Sequence, residues 1–258
     1  MGQPDPEDIR RILATDPVWS AYALADLQPA FEPYCQWYVS EVNGEAAVAL
    51  IFTGLEIPTL FTVGSQQRMM GAVAQIDLPQ TVYITIPDDH FAHVATLYDF
   101  AGDRRPMWRL FLPAGVDIDG PSTPGLCRLT SVDAARLNAL YAHGGSFAPD
   151  AFEAYQLDNG VFFGIENGDG ELISAGGTHI VDWTQGIGTI GNIYTRPDQR
   201  GKGYAATVLQ GIVSTLRNGD VENIVLNVDQ RNTAAKQLYE KYGFEVHGSY
   251  VEGIGKRK

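Results

Sequence analysis

The sequence predicts a mixed α/β fold, a mostly antiparallel sheet flanked by helices, laid out twice along the chain. Three observations carry this. Three apolar runs rich in β-branched residues, "GVFFGIE", "ELISAGGTHIV" and "IGTIGNIYT", are parted by the turn signals "NGDG" and "WTQG", the pattern of antiparallel hairpins. A helix, a strand, a second helix and a last strand follow them, so crossovers complete that sheet. The same order of segments fills the first half, and 258 residues are enough for two domains.

In the first half, helical segments are predicted over residues 6–14 and 17–27. Strands follow at "CQWYVSEV", "EAAVALIFT" and "TLFTV". A helix over 65–74, a strand "TVYITI", a helix over 88–100 and a strand "MWRLFL" complete it. The aromatics Trp19, Tyr22, Phe31, Trp37 and Tyr38 read as its core. In the second half a strand at "GLCRLT" and helices over 132–142 and 149–157 precede the three strands. Next come a helix over 203–216, a strand "NIVLNV", a helix over 232–242 and a strand from Phe244. Ala205, Val208, Leu209, Ile212, Val213 and Leu216 fall on one stripe, which is a helical period. The segments "DDHFAHVATLYDFAG" and "DQRNTAAKQLYEKYG" align without a gap and share Leu-Tyr-acid and a closing Gly, which supports an internal duplication. The Pro- and Gly-rich stretch over 114–125 reads as a linker between domains 1–113 and 126–258.

Composition narrows the function. No apolar run is long enough to span a membrane and the N-terminus lacks a hydrophobic signal core, so a cytoplasmic protein without a membrane partner is expected. Pro6 stands where a myristoylation signal after Gly2 needs Ser or Thr. Cys35 and Cys127 have no disulfide or zinc spacing, which fits a reducing compartment. A net charge of -13 argues against nucleic acid, because phosphate binding rests on Lys and Arg. Asp88, Asp89, His90 and His93 cluster without a third distant ligand, so they read as surface residues and no metal is expected.

The stretch with the most chemistry in it is "IYTRPDQRGKGYAATVLQ". The first amides of a helix lack intrahelical acceptors and carry a partial positive charge, so a helix N-terminus is an anion site. Glycines there let successive N–H groups converge on a phosphate, and Arg200 and Lys202 add formal charge. The loop therefore reads either as a diphosphate cradle or as a tight turn with two solvated cations. "GKGYAA" formally fits the dinucleotide fingerprint G-x-G-x-x-A, but "RPDQR" separates it from its strand and the strands before it are antiparallel. The pattern G-x-x-x-x-G-K-[ST] is absent.

With Arg200, Gly203 and Ala205 matching [RQ]-x-x-G-x-[GA], the chain resembles the GNAT superfamily of acyl-CoA-dependent N-acyltransferases. Asn232, Ala235, Tyr239 and the pair Gly243-Phe244 match that family's second signature. The resemblance covers residues 126–249, and the first half resembles a degenerate copy: Phe91 stands where Asn232 does, and "TVGSQQRMMG" lacks the basic double-glycine loop. It implies that amides of Arg200, Gly201, Lys202, Gly203, Tyr204 and Ala205 hold the diphosphate of acetyl-CoA. It implies that Ile193, Tyr194 and Thr195 pair with the pantetheine arm, and that Asn232 contacts the cofactor nearby. Tyr239, on one helical face with Asn232, would protonate the departing sulfur. No carboxylate stands on the strand before the loop; Glu166, His179, Asp182, water or a substrate arriving neutral would have to serve as base. The expected activity is transfer of an acetyl group from acetyl-CoA to a primary amine, on a small molecule or a peptide N-terminus, by direct attack in a ternary complex. The rival reading is a non-catalytic acyl-CoA-sensing module, and a dinucleotide-binding oxidoreductase is a more distant third.

Overall fold

The computed structural model describes residues 4–118, 124–149 and 152–258. In chain order the elements are α1 (Pro6–Leu13), α2 (Ala21–Ala25), β1 (Cys35–Val42), β2 (Glu45–Phe52), β3 (Thr59–Gly64), α3 (Gln66–Val73), β4 (Thr81–Pro87), α4 (Asp88–Leu97), β5 (Tyr98–Asp99) and β6 (Arg105–Leu112). They continue as β7 (Leu126–Arg128), α5 (Ala134–Tyr141), α6 (Tyr155–Asn159), β8 (Phe162–Glu166), β9 (Leu172–Asp182), β10 (Ile187–Thr195), α7 (Tyr204–Asn218), β11 (Asn223–Asp229), α8 (Thr233–Lys241) and β12 (Glu245–Arg257). The expected fold class is observed: a mixed α/β structure whose strands pair mostly antiparallel, with helices packed against them.

By its contacts the chain forms two compact units. The first holds Met1–Arg109, Asp229–Arg231 and His247–Lys258; the second holds Leu110–Val228 and Asn232–Val246. In the first, β1, β2 and β3 form an antiparallel meander, and β3 pairs in parallel with β4. Most of β12 lies in this unit, because Tyr250–Lys256 pair antiparallel with Pro87–Thr81 of β4. Its core gathers Leu60, Met69, Val82, Ile84, Ile86, Val94 and Tyr98. At its start Pro6 supplies a first helical residue that needs no N–H acceptor, and Asp5 caps α1 by accepting from the Glu7 amide at 2.9 Å.

In the second unit β7, β8, β9 and β10 are antiparallel neighbours, and β10 pairs in parallel with β11. Phe162 packs into a core with Leu137, Leu140, Tyr141, Leu157 and Tyr194, on the side of α5 and α6. Its neighbour Phe163 lies against Gly211 of α7. Successive strand residues face opposite sides, so α7 covers the other face.

Several expectations are corrected. The segment over 17–27 forms only the short α2, and the helix expected over 149–157 is α6, a few residues later, with 150–151 outside the described residues. The helix over 88–100 stops at Leu97, because Tyr98 and Asp99 turn extended and pair with Arg257 and Lys256. On α7 the buried stripe contains Ala206 and not Ala205. Of the stretch read as a linker, residues 119–123 lie outside the described residues. Among the described residues no helix is long and apolar enough to cross a membrane.

Candidate active site

The junction of β10 and α7 is built from polar and glycine residues that leave backbone unsatisfied. Arg196 and Pro197 open a single 3-10 turn, and then Gly201 and Gly203 take left-handed backbone, φ 78 and 84°. A side chain at either position would be strained. Among the described residues the amides from Arg200 to Ala206 meet no protein acceptor; the first one paired is that of Thr207, which donates to the Gly203 carbonyl at 3.1 Å. A Cβ built at Gly201 meets nothing within 4 Å, so this cradle is open. Behind it runs the 15-residue α7, whose dipole points its positive end at the same spot. Arg200 folds back over β10, its Nε donating to the Thr195 carbonyl at 3.1 Å and its guanidinium 5.8 Å from the Tyr194 ring centre. Lys202 Nζ donates to Gln199 Oε1 at 2.7 Å, at the surface.

Beside the cradle the sheet opens. The parallel pairing of β10 with β11 runs from Ile187↔Asn223 to Ile190↔Leu226 and then ends. On its other edge β10 keeps β9 as partner, with two shifts of register. One makes His179 an extra residue on β9; the other bulges β10 at Asn192 and Ile193, which have no paired residue on β9. Asn192 is in left-handed backbone, φ 56°. Of the three strand residues singled out in the sequence, Tyr194 and Thr195 pair with Ala175 and Ser174, which leaves Ile193 as the unpaired one. The bulge was missed from sequence, although the Gly-Asn dipeptide inside a strand pattern is a signal for one.

On α8, Asn232 is the N-cap: its side chain accepts from the Ala235 amide at 3.2 Å. Tyr239 is buried, its ring 5.8 Å from that of Phe244, and burial pushes its phenol up to about 12. Among the described residues its hydroxyl has no hydrogen-bond partner, so a buried, protonated ring ends in an uncommitted donor.

Two of the three side chains considered as a base have other work. Glu166 accepts from Arg136 at 2.6 Å, and that bond holds its carboxyl below the usual range. Asp182 is buried and accepts from the Thr184 and Gln185 amides, both at 3.0 Å, closing the hairpin to β10. His179 lies beside the bulge; its Nε2 would sit 2.1 Å from a Cβ on Gly191, so the ring occupies room that only glycine leaves. His90 is corrected from a surface residue to a buried one. Its Nε2 donates to the Gly64 carbonyl at 3.1 Å and its Nδ1 accepts from the Thr62 hydroxyl at 2.8 Å, and burial lowers its pKa. No group of three or more metal-ligating side chains comes together among the described residues.

Comparison with known proteins bears on this site. Residues 133–244, which hold the cradle, the bulge and α8, match the acetyltransferase (GNAT) family. The chain is similar to mycothiol acetyltransferase of Thermobispora bispora, 28% identical over 159 residues, 54% of each protein. It is also similar to an L-methionine sulfoximine/L-methionine sulfone acetyltransferase of Pseudomonas aeruginosa, 33% identical over 57 residues, covering 22% of this chain and 33% of that one. The chain thus spans about half the length of the first of these relatives and a third of the second. Among solved structures, a GCN5-related N-acetyltransferase from Sphaerobacter thermophilus matches with a TM-score of 0.62 at 20% identity, over 99% of this chain and 95% of that one. A tandem GNAT protein from the clavulanic acid biosynthesis pathway matches with a TM-score of 0.54 at 12% identity, over 92% and 87%. These two structures speak to the fold alone. What the comparisons show is a GNAT acetyltransferase domain match confined to residues 133–244.

Proposed function

We propose that this protein is an N-acetyltransferase that moves the acetyl group of acetyl-CoA to a primary amine by direct attack in a ternary complex. The observation that carries it is the open run of unpaired amides from Arg200 to Ala206 at the head of α7. Arg200 to Gly203 are exposed, so their amides are open to a ligand, and a diphosphate supplies several acceptors at once at a helix N-terminus. Arg200 and Lys202 add charge at the rim. Ile193, which has no paired residue on β9, would pair with an amide of the pantetheine arm, as a strand edge pairs with a peptide. Asn232 sets the start of α8 and so the reach of Tyr239.

When bound, acetyl-CoA supplies a thioester carbonyl as electrophile. The amine nitrogen bonds to that carbon, the C–S bond breaks, and Tyr239 hands its proton to the leaving sulfur. A phenol held near 12 keeps its proton at neutral pH until a thiolate forms beside it. The amine's own proton leaves to water, and a proton returns from water to the Tyr239 phenolate, which at about 12 is protonated again at neutral pH. Neither cysteine offers a covalent route: burial pushes Cys35 up to about 12 and also raises Cys127, which keeps both as thiols.

The second reading, acyl-CoA binding without transfer, draws on the commitment of Glu166 and Asp182 to structural bonds. A thiol-release screen with acetyl-CoA against small amines, amino acids and peptide N-termini separates the two. The transferase reading expects amine-dependent release of CoA with N-acetylated product. Tight binding of acetyl-CoA with no release across the panel would favour the sensing module.

A further inference from the structure

We propose that a cavity of about 350 Å3 between the end of β3 and the head of α4 is a binding site for a small alkylammonium ion. All its lining residues belong to the first unit, so the inference goes beyond acetyl transfer and does not rest on it. The volume is at the low end for a small-molecule site and suits a short chain. Trp19, Val63 and Pro87 give the cavity an apolar wall. Both faces of Trp19 are covered, by Phe61 and by the buried Arg109 guanidinium, so that wall serves the alkyl chain and not the cation. The charged head has other partners in Asp16 and Asp89, and no Lys or Arg lines the cavity. Asp89 is mostly exposed, and among the described residues its carboxylate accepts no hydrogen bond; the nearest basic group is His90 Nε2, 4.0 Å away. Burial lowers the pKa of that imidazole, so at neutral pH it brings no charge to offset Asp89.

The lining side chains also lean toward accepting, because their donors are spent elsewhere. Trp19 Nε1 donates to the Thr62 carbonyl at 2.9 Å, and His90 Nε2 to the Gly64 carbonyl at 3.1 Å. The Thr15 hydroxyl donates to the Ile12 carbonyl at 2.7 Å and that of Ser249 to Asp88. His247 Nε2 donates to Asp16 Oδ2 at 3.0 Å. What these groups leave over is lone pairs: those of the two hydroxyls, of Asp89, and the two that Asp16 keeps after also accepting from the Trp19 amide. The first amides of α4 are donors, but Asp88 and Asp89 in that turn offset its positive end. A carboxylate or phosphate would meet like charge and few side-chain donors here, whereas an ammonium brings three N–H groups to a surplus of acceptors.

The test compares n-butylammonium, n-butanol and n-butyrate, one chain with three heads, by calorimetry and by amide NMR of the whole 15N-labelled chain without coenzyme A. Butylammonium should bind saturably below about 10 mM and move the amide signals of Gly64, His90 and Ser249. Butanol should bind several-fold more weakly, butyrate should not bind, and added salt should weaken the ammonium. Asp89→Asn, at an exposed position, should weaken butylammonium about threefold to fivefold, the worth of one partly exposed ion pair, with melting temperature and coenzyme A affinity unchanged. Gly248 lines the cavity and a Cβ built on it meets nothing within 4 Å, so Gly248→Lys should fold, bring its own ammonium there and abolish binding. Butanol or butyrate binding as tightly as butylammonium would overturn the proposal, and so would no saturable binding at all. Butylammonium shifts confined to amides of the second unit, or either variant binding like the wild type, would overturn it too. Whether the second unit transfers acetyl groups changes none of these outcomes.

Discussion

The strand-to-helix junctions of the two units start from similar parts and differ in what surrounds the head of the helix. In the first unit β3 pairs in parallel with β4 from Thr59 to Phe61 and then parts from it, as β10 parts from β11 after Ile190. The first junction is filled from within. Trp19 Nε1 donates to the Thr62 carbonyl at 2.9 Å, and His90 donates to that of Gly64. Gly64 is left-handed because β2 presses on it: a Cβ there would sit 2.2 Å from the Ala46 carbonyl oxygen. Beside it lies a cavity of about 350 Å3 whose charged lining is Asp16 and Asp89 with His90 and His247, and no Lys or Arg. In the second unit Gly201 faces open space and the helix amides stay unpaired. The first junction's side chains bond carbonyls, and the α3 amides of Gln66 to Arg68 have no acceptor among the described residues either; what sets the second junction apart is the left-handed pair Gly201 and Gly203, with Gly201 facing open space and Arg200 and Lys202 beside them.

The sharpest way to break this comparison is to fill the open cradle. Gly201→Glu puts an anion where the ligand's negative charge belongs, and calorimetry should show coenzyme A affinity reduced at least about a hundredfold (~2.7 kcal/mol). The matching change at the closed junction should do the reverse. Gly64→Ala forces a Cβ onto β2 in left-handed backbone and should cost about 2 kcal/mol or more of stability by denaturant melting, with coenzyme A affinity unchanged. An affinity loss at Gly64 would mean that the first junction also binds the cofactor.

The aligned tyrosines sharpen it further. Burial pushes both Tyr98 and Tyr239 up to about 12, but the Tyr98 hydroxyl donates to the Pro79 carbonyl at 2.8 Å while that of Tyr239 is uncommitted. Tyr239→Phe should lower turnover at least about tenfold (~1.4 kcal/mol) with cofactor affinity intact. A group that works as an acid is lost as pH rises through its pKa. Since Tyr239 titrates near 12, wild-type turnover should show no falling limb below about pH 10. Equal loss of turnover and affinity would make Tyr239 structural. Smallest of all, Tyr98→Phe should cost about 1 kcal/mol of stability and leave turnover alone.

Much of this was legible in the sequence because it depends on local pattern. The run Cys35–Val42, the run Ile187–Thr195 and the helix after Gly203 follow from residue alternation, turn dipeptides and one apolar stripe. The glycine loop was legible because left-handed backbone at a helix start has few residues that tolerate it. Long-range pairing was not legible. Nothing in "EVHGSYVEGIGKR" says that its residues pair with β4, and nothing in "LYDF" says that Tyr98 leaves its helix to meet Arg257. His90 looked like a surface histidine because its partners, Thr62 and Gly64, lie about 26 to 28 residues away. The bulge at Asn192 rests on Tyr141 and Gln156, 51 and 36 residues off, so only its Gly-Asn signal was local.

The account turns on where the diphosphate goes, and amide NMR reads that residue by residue. Titrating 15N-labelled protein with coenzyme A should move the amide signals of Gly201 to Ala205 most, while pantetheine, which has no diphosphate, should leave them in place. Those signals staying still under coenzyme A, while the amides following Gly64 move instead, would contradict it.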